Sequence, residues 1–331
     1  MYDSRRIVTV PLTTLALAAM AIADSARAAT FTVTNTNDSG PGSLRQAVIN
    51  ANALAGFDLI VFDPVVFSTP QTITLTSGAI YITDQGEING PDATPPTISG
   101  NSTSGILSIN IPTGQVGLQD LKLTQGRVSQ GGAIRLNHRT VVMYRCVVTD
   151  NHALGPSSNG GAMYIDGGSL VAYDCNFSSN TTDGFGGAVY GVDASIEFRR
   201  SRVAGNQAHS GGAICTARPD HYISCEQTEV SGNTATAGSG GAILMEGMTA
   251  TFAVLACSTS TISGNSAATA GGAAYVNVGA QMYFYGCTVT NNSAVSGPGG
   301  LWRPVADVAE FISSIVWGNT GSASPDISMT G

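Results

Sequence analysis

The sequence predicts an all-β protein, a parallel β-helix built as a single-stranded solenoid, with a short capping helix at its N-terminal end. Glycine pairs recur every 25 to 31 residues from Gly131 onward, and an asparagine follows each pair after 20 to 25 residues. With 41 glycines and 11% charged residues, the 331-residue chain is too apolar for disorder and too rich in glycine for a helical protein. Regular repeats joined by many tight turns therefore indicate a solenoid.

The first 28 residues predict an export signal. Arg5 and Arg6 precede an apolar run over residues 7–23, and Ala26-Arg27-Ala28 has the small-residue pattern of a cleavage site. The run is too short and too interrupted for a membrane anchor, and no later segment has the length to span a bilayer. We expect cleavage after Ala28, no transmembrane span in the mature chain, and a secreted or cell-surface protein, extracellular or associated with an outer membrane.

Residues 29–331 predict a single β-helix domain, with the cap and irregular coils over 29–130 and regular coils over 131–331. Ser43 followed by Gln46 fits a capping box. An apolar stripe follows, formed by Leu44, Ala47, Val48, Ala51 and Leu54. A helix here would cover the open strand edges at this end of the rod.

The regular units carry like residues at like positions. The glycine pairs begin at Gly131, Gly160, Gly186, Gly211, Gly240, Gly271 and Gly299. The asparagines are Asn151, Asn180, Asn206, Asn233, Asn265, Asn292 and Asn319. Three residues before them stand Val148, Phe177, Val203, Val230, Ile262, Val289 and Val316. One unit cannot bury this apolar column alone, so the units should stack into one core.

Two residue types should form the corners between strands. Each glycine pair predicts a corner whose backbone angles a side chain would forbid. The asparagines predict a structural ladder, because asparagine tolerates left-handed geometry and its amide can bond the backbone of its own turn and of the next coil.

Six cysteines leave two alternatives open. Cys146 and Cys175 occupy the same position in adjacent units, and so do Cys225 and Cys257. Stacking would bring the Cα atoms of each pair to about 5 Å, a distance that permits a disulfide, but parallel side chains would strain its torsion. The pairs are either buried thiol stacks or disulfides. Neither a C-x-x-C motif nor a histidine pair at ligand spacing occurs, so no metal and no cofactor is expected.

The charge pattern limits the partners. A formal net charge of -8, with Lys122 as the only lysine, argues against nucleic acid, whose phosphates need a basic face. Tyr144 and Tyr173 should stack in adjacent coils, and an aromatic pair on an outer face suits a sugar ring. A glycan or a surface protein is the expected partner.

The strongest enzymatic pattern lies six to ten residues after the glycine pairs. The polar residues there are Asn137, His138, Asp166, Asp193, Asp220, His221, Glu246 and Asn277, with Arg135 nearby. Clustered carboxylates can hold calcium or act as acid and base on polysaccharides. The catalytic candidates are Arg135, His138, Asp166, Asp193, Asp220 and Glu246, and calcium is expected only if this chemistry operates. Asp and Asn are also ordinary turn residues.

Several segments resemble known families. The GGA motifs and Phe177-Ser-Ser-Asn180 resemble the GGA and FxxN repeats of chlamydial polymorphic outer membrane proteins. Residues 42–52, GSLRQAVINAN, resemble the CSLREA-type segment of secreted bacterial β-helix proteins, and residues 313–327 are similar to the choice-of-anchor Q domain. The resemblance implies a right-handed parallel β-helix with a pectin lyase-like fold, exported to a bacterial surface and often adhesin-like.

We therefore expect an exported structural or adhesin-like rod that binds glycan or another surface partner. The alternative is a polysaccharide lyase or glycoside hydrolase of the pectate-lyase-like β-helix type. Beyond Asn319 the sequence has no capping pattern, so further chain or a partner should cover that end, and self-association through it is one way to do so.

Overall fold

The prediction of a parallel β-helix with an N-terminal capping helix is confirmed. The structure is a computed structural model that describes residues 28–155, 157–218, 222–246, 253–277, 280–304, 308–322 and 326–329. Within these ranges every named strand pairing is parallel, and the strands form three sheets that run along the rod. The predicted signal segment, except Ala28, lies outside the described residues.

The wide sheet contributes two strands to most coils, and 19 strands belong to it within the described ranges. In two coils the pair fuses into one strand of 11 residues. Its strands are Thr30–Val33, Asp58–Phe62, Ile80–Ile82, Gly86–Asn89, Leu107–Ile109, Gln115–Gln119, Ile134–Tyr144, Met163–Tyr173, Val189–Val192, Ser195–Arg199, Ile214–Ala217, Tyr222–Glu226, Ile243–Glu246, Ala253–Ser258, Ala274–Val276, Ala280–Tyr285, Leu301–Arg303, Ala309–Ile312 and Ile327–Met329.

The middle and narrow sheets form the other two sides of each coil. The middle sheet has ten strands in the described chain: Thr72–Thr74, Thr97–Ser99, Lys122–Thr124, Val147–Thr149, Asn176–Ser178, Arg202–Ala204, Glu229–Ser231, Thr261–Ser263, Thr288–Thr290 and Ile315–Trp317. The narrow sheet has seven two-residue strands there: Arg127–Val128, His152–Ala153, Thr181–Thr182, Gln207–Ala208, Thr234–Ala235, Ser266–Ala267 and Ser293–Ala294.

The predicted apolar column is in register from coil to coil. Val148 pairs with Phe177, which pairs with Val203, and the column continues to Val316. All members but Val316 are fully buried. Stacked coils therefore share one continuous core, because alternate residues of each strand point inward.

Each regular corner contains one residue with positive φ. At the first corner, between the wide and middle sheets, these include Arg145, Asp174 and Arg200. At the second corner the positive φ belongs to the residue before the asparagine, such as Asp150 or Ser179. The expectation that the asparagines themselves take left-handed angles is therefore wrong. Their recurring position instead places the side-chain amides where they can hydrogen-bond from coil to coil, as described below.

The two glycines of each pair have different roles. The first, such as Gly160, has a φ of 66°. The second, such as Gly161, approaches the next coil so closely that a Cβ would collide with the carbonyl oxygen of Gly187. In the last unit the predicted pair, which begins at Gly299, is displaced by one residue. Gly272, a second glycine, packs against Gly299, so Gly299 occupies the position of the second glycine and not of the first.

The capping helix spans Leu44–Asn52. The Ser43 hydroxyl accepts a hydrogen bond from the backbone N–H of Gln46, whereas the Gln46 side chain donates to Asn50, so half of the predicted capping box forms. Leu44, Ala47 and Val48 are buried against the first coils. Leu54 is 46% exposed and lies beyond the helix, so its predicted place in the apolar stripe is wrong.

Candidate functional site

The seven predicted asparagines form a continuous amide ladder in the core. Each Nδ2 donates to the Oδ1 of the asparagine in the next coil, at 2.8 to 3.0 Å. The same Oδ1 also accepts from the backbone N–H of the preceding asparagine. At the C-terminal end, Asn319 donates to Asp326 Oδ1 in the same two ways. All seven are at most 4% exposed, so the ladder is structural and offers no ligand surface.

The predicted carboxylates that the structure describes, Asp166, Asp193 and Glu246, lie at the outer side of the wide sheet, near the bend between its two strands. Asn137 pairs with Asp166 in the next coil. Along the same column Val192 and Ala217 separate Asp166 from Glu246. Three coil spacings put these two carboxylate-bearing residues about 14 Å apart. Glycoside hydrolysis needs two carboxyl groups within about 10 Å, so Asp166 and Glu246 do not form such a pair.

Among the predicted carboxylates that lie in the described ranges, Asp193 comes nearer to Asp166 than Glu246 does. It follows Val192, the register partner of Asp166, and lies exposed at the bend with a φ of 47°. Asp220 and His221 lie outside the described residues. Within the described ranges, no group of three or more His, Cys, Asp or Glu residues is arranged to hold a metal ion.

Arg135 and His138 lie on the strand Ile134–Tyr144 but do not meet a carboxylate. The Arg135 Nε is 3.5 Å from Asn137 Oδ1, and its Cζ is 6.0 Å from the centre of the Tyr164 ring. The exposed His138 has a φ of 53°, and its ring covers Gly167 in the next coil. Arg135 and Asn137 line an open cleft of about 370 Å³.

An aromatic column beside these residues was not predicted. Tyr164 stacks on Tyr190 at 5.7 Å, and further along the rod Tyr275 meets Trp302 edge to face at 4.8 Å. Burial, and then the Asp166 charge, raise the pKa of Tyr164. The signal is present in the sequence, since three of these tyrosines stand four residues after the first glycine of their unit.

A second groove crosses the outer side of the wide sheet nearer the first corner. Its volume is about 330 Å³. Its lining residues are Phe57, Glu87, Gln115, Gly117, Thr140, Val142, Tyr144, Val171 and Tyr173. We call this the tyrosine groove. Its lining combines aromatic rings, two valines, one carboxylate, one side-chain amide and the hydroxyl of Thr140.

Register explains the shape of the tyrosine groove. Glu87, Gly117, Val142 and Val171 are successive members of one outward column. A Cβ on Gly117 would lie 3.0 Å from the Glu87 Cγ atom. The glycine therefore makes room for the Glu87 side chain, which lies over it.

The tyrosine pair is rigidly placed. The rings of Tyr144 and Tyr173 lie 4.8 Å apart and are nearly parallel, with an interplanar angle of 6°. The guanidinium carbons of Arg199 and Arg200 stand 5.7 and 5.8 Å from the Tyr173 ring centre. Arg200 donates two hydrogen bonds of 2.9 Å to Asp174, and these bonds lower the pKa of that carboxyl. Tyr173 is thus held between a ring and a fixed cation.

The predicted cysteine pairs are adjacent and buried. Cys225 and Cys257 are register partners, and the Cys146 N–H donates to Cys175 Sγ at 3.4 Å. All four are free thiols in this structure. A hydrogen bond with the neighbouring thiol, followed by burial, raises the pKa of Cys146 and of Cys257. Such thiols are poor nucleophiles, because the thiolate is the reactive form.

Comparison with known families gives a match over one short segment of the chain. A family model described as the Chlamydia polymorphic membrane protein (Chlamydia_PMP) repeat matches residues 174–192. That segment contains the FSSN motif that ends one unit and the GGA motif that begins the next. No curated protein sequence matches the chain.

Two solved structures are similar to the chain. The crystal structure of pectate lyase Pel9A shares 13% identity, with 90% of this chain and 80% of that chain covered and a TM-score of 0.35. The A-module of the Azotobacter vinelandii mannuronan C-5 epimerase AlgE6 shares 11% identity, with 91% and 100% covered and a TM-score of 0.25. Likeness at this level does not extend to activity. Within the described residues, no helix is long and apolar enough to cross a membrane.

Proposed function

We propose that the protein is an exported, adhesin-like β-helical rod that binds a glycan in the tyrosine groove. The single observation that carries this proposal is the parallel Tyr144–Tyr173 pair beside a groove of about 330 Å³. The apolar faces of a sugar ring pack on aromatic rings, while its hydroxyl groups need hydrogen-bond partners. Glu87, Gln115 and Thr140 supply such partners at the groove wall.

The surface location is part of the same proposal. It is supported by the predicted export signal over residues 1–28 and by the polymorphic membrane protein repeat over residues 174–192. The CSLREA-like and choice-of-anchor-like segments favour it as well. In this proposal the mature chain, 29–331, acts as one domain whose regular coils, 131–331, extend the binding rod.

A lyase or hydrolase is the alternative proposal, because Asp166 and Asp193 lie in adjacent coils. Its weakness is that Glu246 is too far along the rod to join them. Calcium would enter only with this alternative, as a ligand of the carboxylates. Binding without turnover separates the two proposals.

The test is glycan-array binding of the mature chain, followed by calorimetry on the best neutral and acidic oligosaccharides. Removing a central aromatic contact typically costs more than about 1 kcal/mol, so we expect Tyr144→Ala and Tyr173→Ala each to weaken binding at least about fivefold. Gly117→Val should weaken it by displacing the Glu87 side chain, which lies over Gly117. The matched control is Tyr285→Ala, in the same outward column, because Tyr285 is as exposed as Tyr144 but lies outside the groove.

Two results would contradict the proposal. Unchanged affinity in both groove variants would place the binding site elsewhere. Cleavage of an oligosaccharide that disappears in Asp166→Ala or Asp193→Ala, but persists in Tyr144→Ala, would favour the enzyme.

A further inference from the structure

A carboxylate faces the interior of the first coils. Asp58 begins the strand Asp58–Phe62, faces inward together with Ile60, and is 1% exposed. Its Oδ2 atom is buried and has no hydrogen-bond partner within the described residues. A buried carboxylate is costly unless a cation or several donors compensate its charge.

The side chains around Asp58 do not supply a positive charge. Asp58 lines a cavity of about 20 Å³ beside the capping helix, and the other charged residues of that lining, Asp84 and Glu87, are acids. The basic residue of the capping helix, Arg45, is already bound to Asp38 at 2.7 Å. In this part of the described chain, none of these groups compensates the charge of Asp58.

The group that does meet Asp58 is the backbone nitrogen of Ala29. The Ala29 N–H donates to Asp58 Oδ1 at 2.7 Å, and the Ala29 carbonyl accepts from the Leu59 N–H at 2.8 Å. Both bonds follow from the register, because Thr30 pairs with Leu59 and Ala29 therefore lies beside Asp58. The predicted signal cleavage would turn this same nitrogen into the N-terminal α-ammonium group.

We propose that the α-ammonium group of Ala29 in the mature chain forms an ion pair with the buried Asp58, so that removal of the signal completes the first coil. The inference rests on the export proposed above, because cleavage after Ala28 creates this group. An amide supplies one N–H, whereas an ammonium supplies three and a positive charge, so it can satisfy both carboxylate oxygens. The first coil should therefore be less stable in the precursor than in the mature protein.

The experiment compares two chains of native sequence, 29–331 and 28–331, each released from an N-terminal fusion without an extra residue. Ala28 is exposed, so adding it moves the ammonium by about 3.8 Å without filling the interior. We expect hydrogen exchange of Thr30–Val33 and Asp58–Phe62 to be at least about tenfold faster in 28–331 and unchanged in the central coils.

Asp58→Asn is the variant that tests the partner. Asparagine keeps Oδ1 and the shape of the side chain but not its charge, so the two chains should then exchange at the same rate. The control is Asp84→Asn, which removes an acid from the same cavity and should preserve the difference between the chains. If Asp58→Asn does not fold, the comparison of the two unsubstituted chains still decides.

The pH dependence identifies the ammonium. The pKa of a free α-amino group is about 8, and an ion pair raises that pKa in the folded protein. The added protection of 29–331, corrected for the intrinsic exchange rate, should therefore be complete below about pH 8 and decline as the pH rises through the raised value. The chain 28–331 should lack this alkaline decline, and so should Asp58→Asn.

Equal protection in 29–331 and 28–331 overturns the inference, and so does a difference that persists in Asp58→Asn. Mass spectrometry of the exported protein tests the cleavage site separately. An N-terminus other than Ala29 overturns the inference and leaves export standing. An intact signal on a chain that stays in the cell would instead contradict the proposed surface location.

Discussion

The carboxylate of Asp326 takes the place of an eighth asparagine at the end of the ladder. Its Oδ1 accepts from the Asn319 backbone N–H at 3.0 Å and from Asn319 Nδ2 at 2.9 Å. Every earlier asparagine of the ladder donates these two bonds to the amide oxygen of the asparagine in the next coil. Seven residues after the last repeat asparagine, the chain thus supplies its own final acceptor.

Removing this acceptor should loosen the last coil. Asp326→Ala leaves two donors of the buried Asn319 without their partner, at a cost of about 1 to 3 kcal/mol. We expect faster hydrogen exchange over residues 313–322 and unchanged exchange in the central coils. Asp326→Asn keeps Oδ1 and should behave like the wild type. Equal exchange in the alanine variant would mean that water replaces the carboxylate without loss.

Replacing a central asparagine of the ladder should destabilise the protein more than removing the last acceptor. Asn206 donates to Phe177 O and Asn233 Oδ1, and its own Oδ1 accepts from Asn180. Asn206→Ala removes these bonds inside the core and should lower the free energy of unfolding by about 3 kcal/mol or more. Denaturant titration measures the change. The control, Asn176→Ala, changes a half-buried asparagine outside the ladder and should cost well under about 1 kcal/mol.

The cap should weaken in acid because of Asp38. Burial alone would raise the pKa of its carboxyl, but hydrogen bonds from Ser77, Arg45 and Thr76 together outweigh burial and lower it far below the ordinary 3.8. A lowered folded-state pKa means that the stabilisation is complete well above 3.8 and declines as the pH falls below it. Protection of the capping helix against hydrogen exchange should therefore decrease below about pH 4.

Asp38→Asn should show the reduced protection already at neutral pH and a flatter acid dependence. The control is Asp92→Asn, since the Asp92 side chain is 83% exposed. An acid dependence that is the same in wild type and Asp38→Asn would assign the effect to other carboxyls.

The cysteines should not react with thiol reagents until the protein unfolds. All six are buried, and burial contributes to a raised pKa at Cys146, Cys215, Cys257 and Cys287. Ellman's reagent should titrate none in the native protein and six in guanidinium, measured on non-reduced material. Two or four thiols on unfolding would show that Cys225–Cys257, Cys146–Cys175 or both form disulfides after export.

A substitution at the corner that contains Thr259 should stabilise the protein. Thr259 has a φ of 47°, a conformation that β-branched residues rarely adopt, and the following coil has Gly286 at the same corner. Thr259→Gly should relieve about 1 kcal/mol of strain and raise the melting temperature. Thr261→Gly, on the adjacent strand, should lower it, because glycine weakens a strand. A lower melting temperature for Thr259→Gly would mean that its side-chain contacts outweigh the strain.

Much of the fold can be predicted because a solenoid repeats one local rule. The constant spacing of Val148, Phe177 and Val203 from their asparagines is enough to set the register of the core. The same count places Cys225 beside Cys257. The number of residues between a side chain and the repeat asparagine predicts its neighbours in the adjacent coils wherever that segment has the same length in every unit.

The candidate site is harder to predict because it lies where the lengths vary. The units differ in length between the glycine pair and the first corner. Asp166 and Asp193 therefore stand at similar distances from the first glycine of their units but do not pair with each other, because Asp166 pairs with Val192. The tyrosine groove draws Phe57 and Glu87 from the irregular first coils, which have no repeat to count from. Asp326 follows the last repeat and has no counterpart in the other units.

The amide ladder gives the rod a direction. Every bond from one amide side chain to the next runs from Nδ2 to the Oδ1 of the coil on the C-terminal side. The ladder therefore presents an acceptor at one end, where the Gly126 N–H donates to Asn151 Oδ1, and a donor at the other. Inserting or deleting a whole unit changes neither of these end groups. The number of coils can therefore change during evolution by duplication of single units, without compensating substitutions at either end of the rod.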